Sequence, residues 1–430
     1  MIYYKTLKRL RQKRDLSLYE FADKMGYTVD YIRSLESSEG REKATPEFIA
    51  KLRDKLDLHG IPITDEEKAP FYDRLNMLKH QIDYGEYKEA AENIPELTRC
   101  AEASCHTGFM NLCDLYIAYY NHATDNIEAF EKIMSSLNQR KQFFDTRHNF
   151  FYYFLVGRRA LVEERYKDAM EAFNKAEKLD KNNQWCDLSF NYLYGMSLSE
   201  LDYVTKANEY LRKALHQAKW NKLYKGKSNT RYDAYIEGLL AQNLGVIGKG
   251  DEALAILNQR LKKEKVNEVK HLIGYIYLKL GIVHYTMKNF SETIENIEEA
   301  MKHLDGNSVQ YINCLYHKAL ALIDSGSIDM GLDILNKGLS LSIEGTKWEV
   351  SFNALKHSVM LSNPGAVGYM TDIAIPKLQK QGYREMVLRY YRVLIDFLKK
   401  TGNFGHALEY SDLALTIQDE FYDERVRGAL

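Results

Sequence analysis

The chain has 430 residues, 45% of them apolar and 28% charged, and a formal net charge of −1. That is enough apolar surface for a sizeable core and two or more domains, and it excludes both a disordered chain and a uniformly basic nucleic-acid binder. Only 6 prolines and 25 glycines interrupt it, so the expectation is an all-α fold of helices joined by short turns.

The start, MIYYKTLKRL, is too charged for a secretory signal, and no run of about 18 apolar residues follows, so a cytoplasmic location without membrane attachment is expected. The first sixty residues hold 13 Lys and Arg against 10 Asp and Glu, leaving 46 against 50 for the remainder. A small basic head on a mildly acidic body suits local contact with phosphates.

Within that head, Leu7 and Leu10 sit three apart among Lys5, Lys8, Arg9, Arg11, Lys13 and Arg14, which reads as an amphipathic helix with a basic face. Ser17 with Glu20 has the capping-box spacing, Leu18, Phe21, Ala22 and Met25 form an apolar stripe, and Gly26 ends the helix. Thr28 caps the next helix, whose Ile32 and Leu35 point inward and leave Val29, Asp30, Arg33 and Ser34 outside. Thr45-Pro46 starts a fourth helix, with Phe48, Ile49, Leu52 and Leu56 completing a small core. Over residues 4 to 58 this pattern resembles the Cro/C1-type (XRE) helix-turn-helix family. The resemblance implies that the N-terminal end of the third helix enters the major groove of double-stranded DNA. Thr28, Val29, Asp30, Tyr31, Arg33 and Ser34 are then the candidate base readers, with Lys5, Ser17, Arg41 and Lys43 on the backbone. Asp30 is unusual there, since it repels phosphate and accepts only from a cytosine amino group.

Residues 61–70 of the segment HGIPITDEEKAP, with two prolines and a charge cluster, read as a linker between a head over 1–60 and a second domain over 71–425. That domain repeats itself. Gly157, Tyr166, Ala169, Phe173 and Ala176 occupy the small and aromatic positions of a tetratricopeptide (TPR) repeat. Gly195, Ala207, Leu211 and Ala214 repeat the scheme, as do Gly281, Phe290, Thr293, Ile297 and Ala300. Weaker copies lie at Tyr87 and Ala90, at Ala253 and Leu257, at Ala319, Gly331 and Leu335, and at Phe404, Ala407 and Ala414. The expectation is seven to nine hairpins in a right-handed, TPR-like superhelical solenoid whose groove takes an extended peptide. Amide side chains satisfy a peptide backbone with a donor and an acceptor together, which selects Asn191, Gln242, Asn243, Asn313 and Asn353; Arg158, His317, Lys356 and Arg392 suit charged groups.

Five cysteines without a C-x-x-C pair suggest buried thiols rather than a disulfide framework or metal site, no cofactor is implied, and no nucleotide-binding or hydrolase motif supports catalysis. An XRE head followed by such repeats resembles the RNPP quorum-sensing regulators, nearest to their NprR and Rap-like branches, with the phage arbitrium receptors sharing the plan. The stretch YYFLVGRRALVEERYKDAMEAFNKAEKL carries this resemblance, and IPKLQKQGYREMVLRYYRVLIDFLKKTGNFGHALEYSDLAL extends it to the C-terminus. It implies a homodimer or higher homo-oligomer that binds a palindromic operator and responds to a short signalling peptide held by groove asparagines, Asn243 foremost. It also leaves open a Rap-like protein that binds or dephosphorylates a response regulator, although CHTGFMNLCDLYIAYYNHATDN lacks the glutamine such phosphatases use.

Overall fold

The computed structural model describes residues 4–12, 14–37, 45–55, 65–104, 107–182, 184–225, 230–363 and 365–427, and every regular element among them is helical. The chain divides into two compact units, 1–155 with 175–182, and 156–174 with 183–430.

The first unit opens with α1 (Tyr4–Gln12), α2 (Leu18–Met25), α3 (Val29–Glu36) and α4 (Pro46–Lys55). Leu7, Leu10, Phe21, Ala22, Met25, Ile32, Leu35, Phe48 and Leu52 form one buried core, as their spacing requires. The capping box is complete: the Glu20 N–H donates to Ser17 Oγ at 3.2 Å and the Ser17 N–H to Glu20 at 2.7 Å. Gly26, at φ 69°, closes α2 in the left-handed region. One basic residue of α1 departs from its expected role on phosphate. Arg11 donates to both oxygens of Glu36 at 2.8 Å and to the Leu16 carbonyl at 3.0 Å, so its fork fastens α1 to α3.

Next come α5 (Asp65–Tyr84), α6 (Tyr87–Ser104), α7 (Thr107–Ala123) and α8 (Ile127–Gln139), and the division between the units falls within α9 (Thr146–Val162). Residues 65–70 belong to α5 rather than to an irregular linker. Pro70 lies inside that helix, in its second turn, and removes the N–H that would pair with the Glu66 carbonyl. Phe71 stacks on Phe109 with centroids 4.2 Å apart, and Arg140 ties down Asn111 and Asp114 at 2.9 and 2.8 Å.

The second unit contains α10 (Tyr166–Glu177), α11 (Leu188–Glu200), α12 (Val204–Lys225), α13 (Thr230–Val246), α14 (Gly250–Val266), α15 (Lys270–Thr286), α16 (Phe290–His303), α17 (Val309–Asp324), α18 (Ile328–Leu341) and α19 (Lys347–Ser358). The short α20 (Ala366–Gly368) and a π-helical turn over Tyr369–Ala374 lead into α21 (Ile375–Gln381), then α22 (Arg384–Lys400) and α23 (Phe404–Arg427). Pro376, without an N–H, breaks the α-helical ladder where the wider turn gives way to α21. The small residues do what a TPR-like hairpin asks of them: a Cβ at Gly157, Gly195 or Gly281 would meet Phe173, Leu211 or Ile297 of the paired helix at 2.7–2.9 Å. Phe404 does not fill a gap as expected; it is exposed at the start of α23.

The two ends of this unit meet at a seam. Trp348 donates its indole N–H to Glu164 at 2.9 Å, Arg384 donates to the Tyr203 hydroxyl at 2.6 Å, and the Glu385 N–H donates to Asp202 at 3.1 Å. Gly382, at φ 88°, lets the α21–α22 turn approach Leu201 so closely that a Cβ would lie 2.9 Å from its side chain.

Candidate functional site

On the head, Thr28 caps α3 by accepting from the Tyr31 N–H at 3.2 Å, and Thr28, Asp30 and Arg33 are exposed around that helix's N-terminal end. Asp30 and Arg33 pair with each other at 2.6 Å. Ser34 donates to the Tyr31 carbonyl at 2.7 Å, and Val29 is half-buried against the core. Tyr31 stacks on Tyr27 at 5.0 Å and meets Phe48 edge-on at 5.7 Å, and its buried hydroxyl has no partner, so the ring belongs to the wall of the core. Ser17 is exposed at the start of α2. Lys5 lies on α1 with its side chain outside the described residues, and Arg41 and Lys43 lie outside them altogether. Tyr19, off the apolar stripe of α2, is exposed beside Ser17.

In the second unit the nine expected groove residues separate into two groups. Asn191 and Asn243 are interior braces. The Asn191 amide donates to the carbonyls of Cys186 and Asp187 at 2.9 and 3.0 Å and to Gln217 at 3.0 Å. Asn243, 1% exposed, accepts from the Ser199 hydroxyl at 2.7 Å and donates to Asn208 at 2.9 Å. Both amides are thereby occupied within the fold. Asn353 donates to Glu349 at 2.7 Å and Lys356 to Asn336 at 3.1 Å. Arg158 is half-buried on α9 and Arg392 exposed on α22.

Gln242 and His317 are different, because they belong to a polar cluster built from successive first helices, and Asn313 precedes His317 by one turn on α17. Lys279 on α15 donates to the Gln242 amide oxygen on α13 at 2.5 Å, and Lys347 at the start of α19 holds Glu200 at the end of α11 at 2.8 Å. His317 on α17 lies within the field of Lys279, Lys347 and Glu200. Burial first, then the two lysines, lowers its pKa to about 3, so the ring is neutral. Burial opposes ionisation of Glu200, but Lys347 and Lys279 outweigh it and hold the carboxyl below its ordinary value. Two buried atoms of this face lack hydrogen-bond partners: His317 Nδ1 and, one turn earlier, Asn313 Oδ1. Of the residues the sequence did not single out, Lys279 had a signal, being the one cation in the apolar run YIYLKLGIV.

The helix-turn-helix family HTH_3 matches residues 7–60. The transcriptional activator NprA of Geobacillus stearothermophilus is 20% identical over 314 residues, 69% of this chain and 75% of that protein. A Rap protein complexed with Competence and Sporulation Factor superposes with a TM-score of 0.68 at 14% identity, covering 83% of this chain and 99% of that one. NprR in complex with its cognate peptide NprX gives 0.68 at 14%, covering 81% and 99%. The chain joins an HTH_3 head to a body with the fold of Rap and NprR. A helix-turn-helix head and a helical-repeat solenoid of the Rap and NprR fold account for the RNPP-type plan read from the sequence. No helix among the described residues is long and apolar enough to cross a membrane.

Proposed function

We propose that the chain is a cytoplasmic, peptide-responsive transcription regulator whose ligand changes its hold on a palindromic DNA operator. The observation that carries this reading is the joining, in one chain, of a helix-turn-helix head to a body with a buried polar wall that lacks partners at Asn313 and His317. The head reads DNA through Thr28, Val29, Arg33 and Ser34, with Asp30 tempering Arg33 through their ion pair, Lys5, Ser17, Arg41 and Lys43 on phosphates and Tyr31 setting the pitch of α3 from within the core. The peptide lies along Gln242, Asn313 and His317. Asn353, Lys356, Arg158 and Arg392 are further contacts of the groove, and Asn191 and Asn243 hold the shape of the hairpins behind it. A homodimer suits a palindromic operator, and α23 leaves Phe404, Leu408 and Leu415 exposed on one helical face, an apolar stripe available to a second copy.

The test is binding of the full chain to its own promoter fragment, with and without synthetic peptides from the C-terminal end of any short reading frame beside its gene. The expected result is specific binding with a steep salt dependence and a peptide-dependent change in affinity. Specific binding indifferent to every peptide would remove the sensor half of the reading.

A second reading, a Rap-like protein acting on a response regulator, is favoured by the likeness to a Rap complex being as high as that to NprR. Absence of DNA binding at low salt, with capture of a phosphorylated response regulator, would bring it forward.

A further inference from the structure

We infer that the inner wall of the second unit recognises its ligand through a carboxylate, seated against Lys279 and His317 with the Asn313 amide beside it. The inference rests on the peptide-sensor reading and specifies which part of a peptide the site reads.

Of the two lysines of the wall, one is hydrogen-bonded to a carboxylate. Lys347 donates to Glu200, while Lys279, 4% exposed, donates to the neutral amide oxygen of Gln242. Glu164, whose carboxylate accepts from the Trp348 indole, lies in the field of Lys347 and Glu200 and is not among the charges acting on Lys279. The end of the cluster at Lys279 and His317 therefore carries an excess of positive charge out of water, an arrangement whose cost an incoming anion relieves. Burial, with Lys347 adding to it and Glu200 opposing, lowers the Lys279 ammonium to about 8, consistent with a cation short of a counter-charge.

The neighbouring polar atoms complete the fit. His317 is neutral and retains a single ring proton, and its buried Nδ1 has no partner; as the protonated nitrogen it would donate to a carboxylate oxygen. The imidazole is held by ring contacts to Tyr285 and Tyr316, with centroids 6.2 and 5.7 Å away. Asn313 Oδ1, one turn earlier, has an open lone pair where an acceptor is of no use to an anion but suits an N–H next to it. A carboxylate preceded at once by a peptide N–H is the chemistry of a peptide's C-terminus. An aspartate or glutamate side chain offers the same charge without that adjacent donor.

The test selects binders from a pooled library of random seven-residue peptides on the immobilised full chain. Each selected peptide is then remade as free acid, as C-terminal amide, and as free acid with Asp and Glu replaced by Asn and Gln. The expected result is a ten- to hundredfold loss of affinity on amidation, reduced to about twofold or less in Lys279→Gln. A loss that follows replacement of the acidic side chains instead assigns the carboxylate to a side chain and keeps the inference. Equal binding of all three forms overturns it and leaves the peptide reading standing, whereas a library that yields no binder removes both. The ligand-free chain supplies an independent measurement: Lys279→Gln should raise the thermal midpoint, and a fall would contradict an unpaired buried cation.

Discussion

Asp30 and Arg33 stand three residues apart on α3, each exposed, and their 2.6 Å ion pair contributes little to stability in water. Its consequence lies elsewhere, since it places a negative charge beside the arginine best placed to reach DNA. Asp30→Ala should leave the unfolding midpoint within about 0.5 kcal/mol of wild type. DNA affinity should rise several-fold, measured at two salt concentrations; unchanged or weakened binding would show that Asp30 itself reads a base. Arg11 and Glu36 form the opposite kind of pair, shielded and doubly hydrogen-bonded. Arg11→Met should cost about 2 kcal/mol, because it strands a carboxylate that is only 6% exposed. Hydrogen exchange at the α1 and α3 amides is the measurement, and unchanged protection would contradict it. The basic stripe of α1 was legible in the sequence, but which of its members is structural was not, because Glu36 lies 25 residues away and nothing local links the two.

Among the elements, the hairpins were the most legible part of the chain, because each demands a small residue on one helix opposite a bulky one on the next. Gly338 shows how tight that demand is: a Cβ there would overlap the Phe352 ring, whereas at Gly405, near the start of α23, it would meet nothing within 4 Å. Gly338→Ala should destabilise the second unit by about 1–3 kcal/mol. Gly405→Ala should be neutral or stabilise by up to about 1 kcal/mol through the unfolded chain's lost freedom. Thermal unfolding of the two variants side by side checks the contrast, and equal shifts would contradict the packing argument. The groove was less legible than the hairpins. An asparagine on a first helix suits a ligand amide and a neighbouring helix equally well, and only the hydrogen bonds of Asn191 and Asn243 assign them to the fold. The α20–α21 region was not legible, since a π-helical turn leaves no periodic signature in six residues.

At the scale of the second unit, the seam ties stability to pH. Asp202, at φ 64°, accepts the Glu385 N–H, yet burial, reinforced by the charges of Glu385 and Glu200 and opposed by Lys347, lifts its carboxyl to about 7. The folded unit thus binds this proton more tightly than the unfolded chain, whose carboxyl titrates near 3.8. The contribution is fully present below about pH 4, falls as the pH rises towards 7 and is constant above that. Asp202→Asn keeps an acceptor for the Glu385 N–H and a side chain that tolerates positive φ. Its thermal midpoint should exceed wild type at pH 8 and approach it near pH 5; a gap that does not change with pH would sink the assignment. None of this was visible in the sequence, where the partners at the seam are 181 to 184 residues apart.

An open stack of repeats, in which each hairpin touches only its neighbours, unravels from either end and nucleates anywhere. The seam removes that freedom from the second unit. Contacts such as Trp348 with Glu164 and Arg384 with Tyr203 close a loop of nearly two hundred residues, so their entropic cost falls on one late event, after the intervening hairpins have formed. Fraying at α22 is then felt at α12, at the opposite end of the array. The unit behaves less like a chain of beads than like a buckled belt, its last hole chosen by Gly382, and its first and last turns share one cooperative transition.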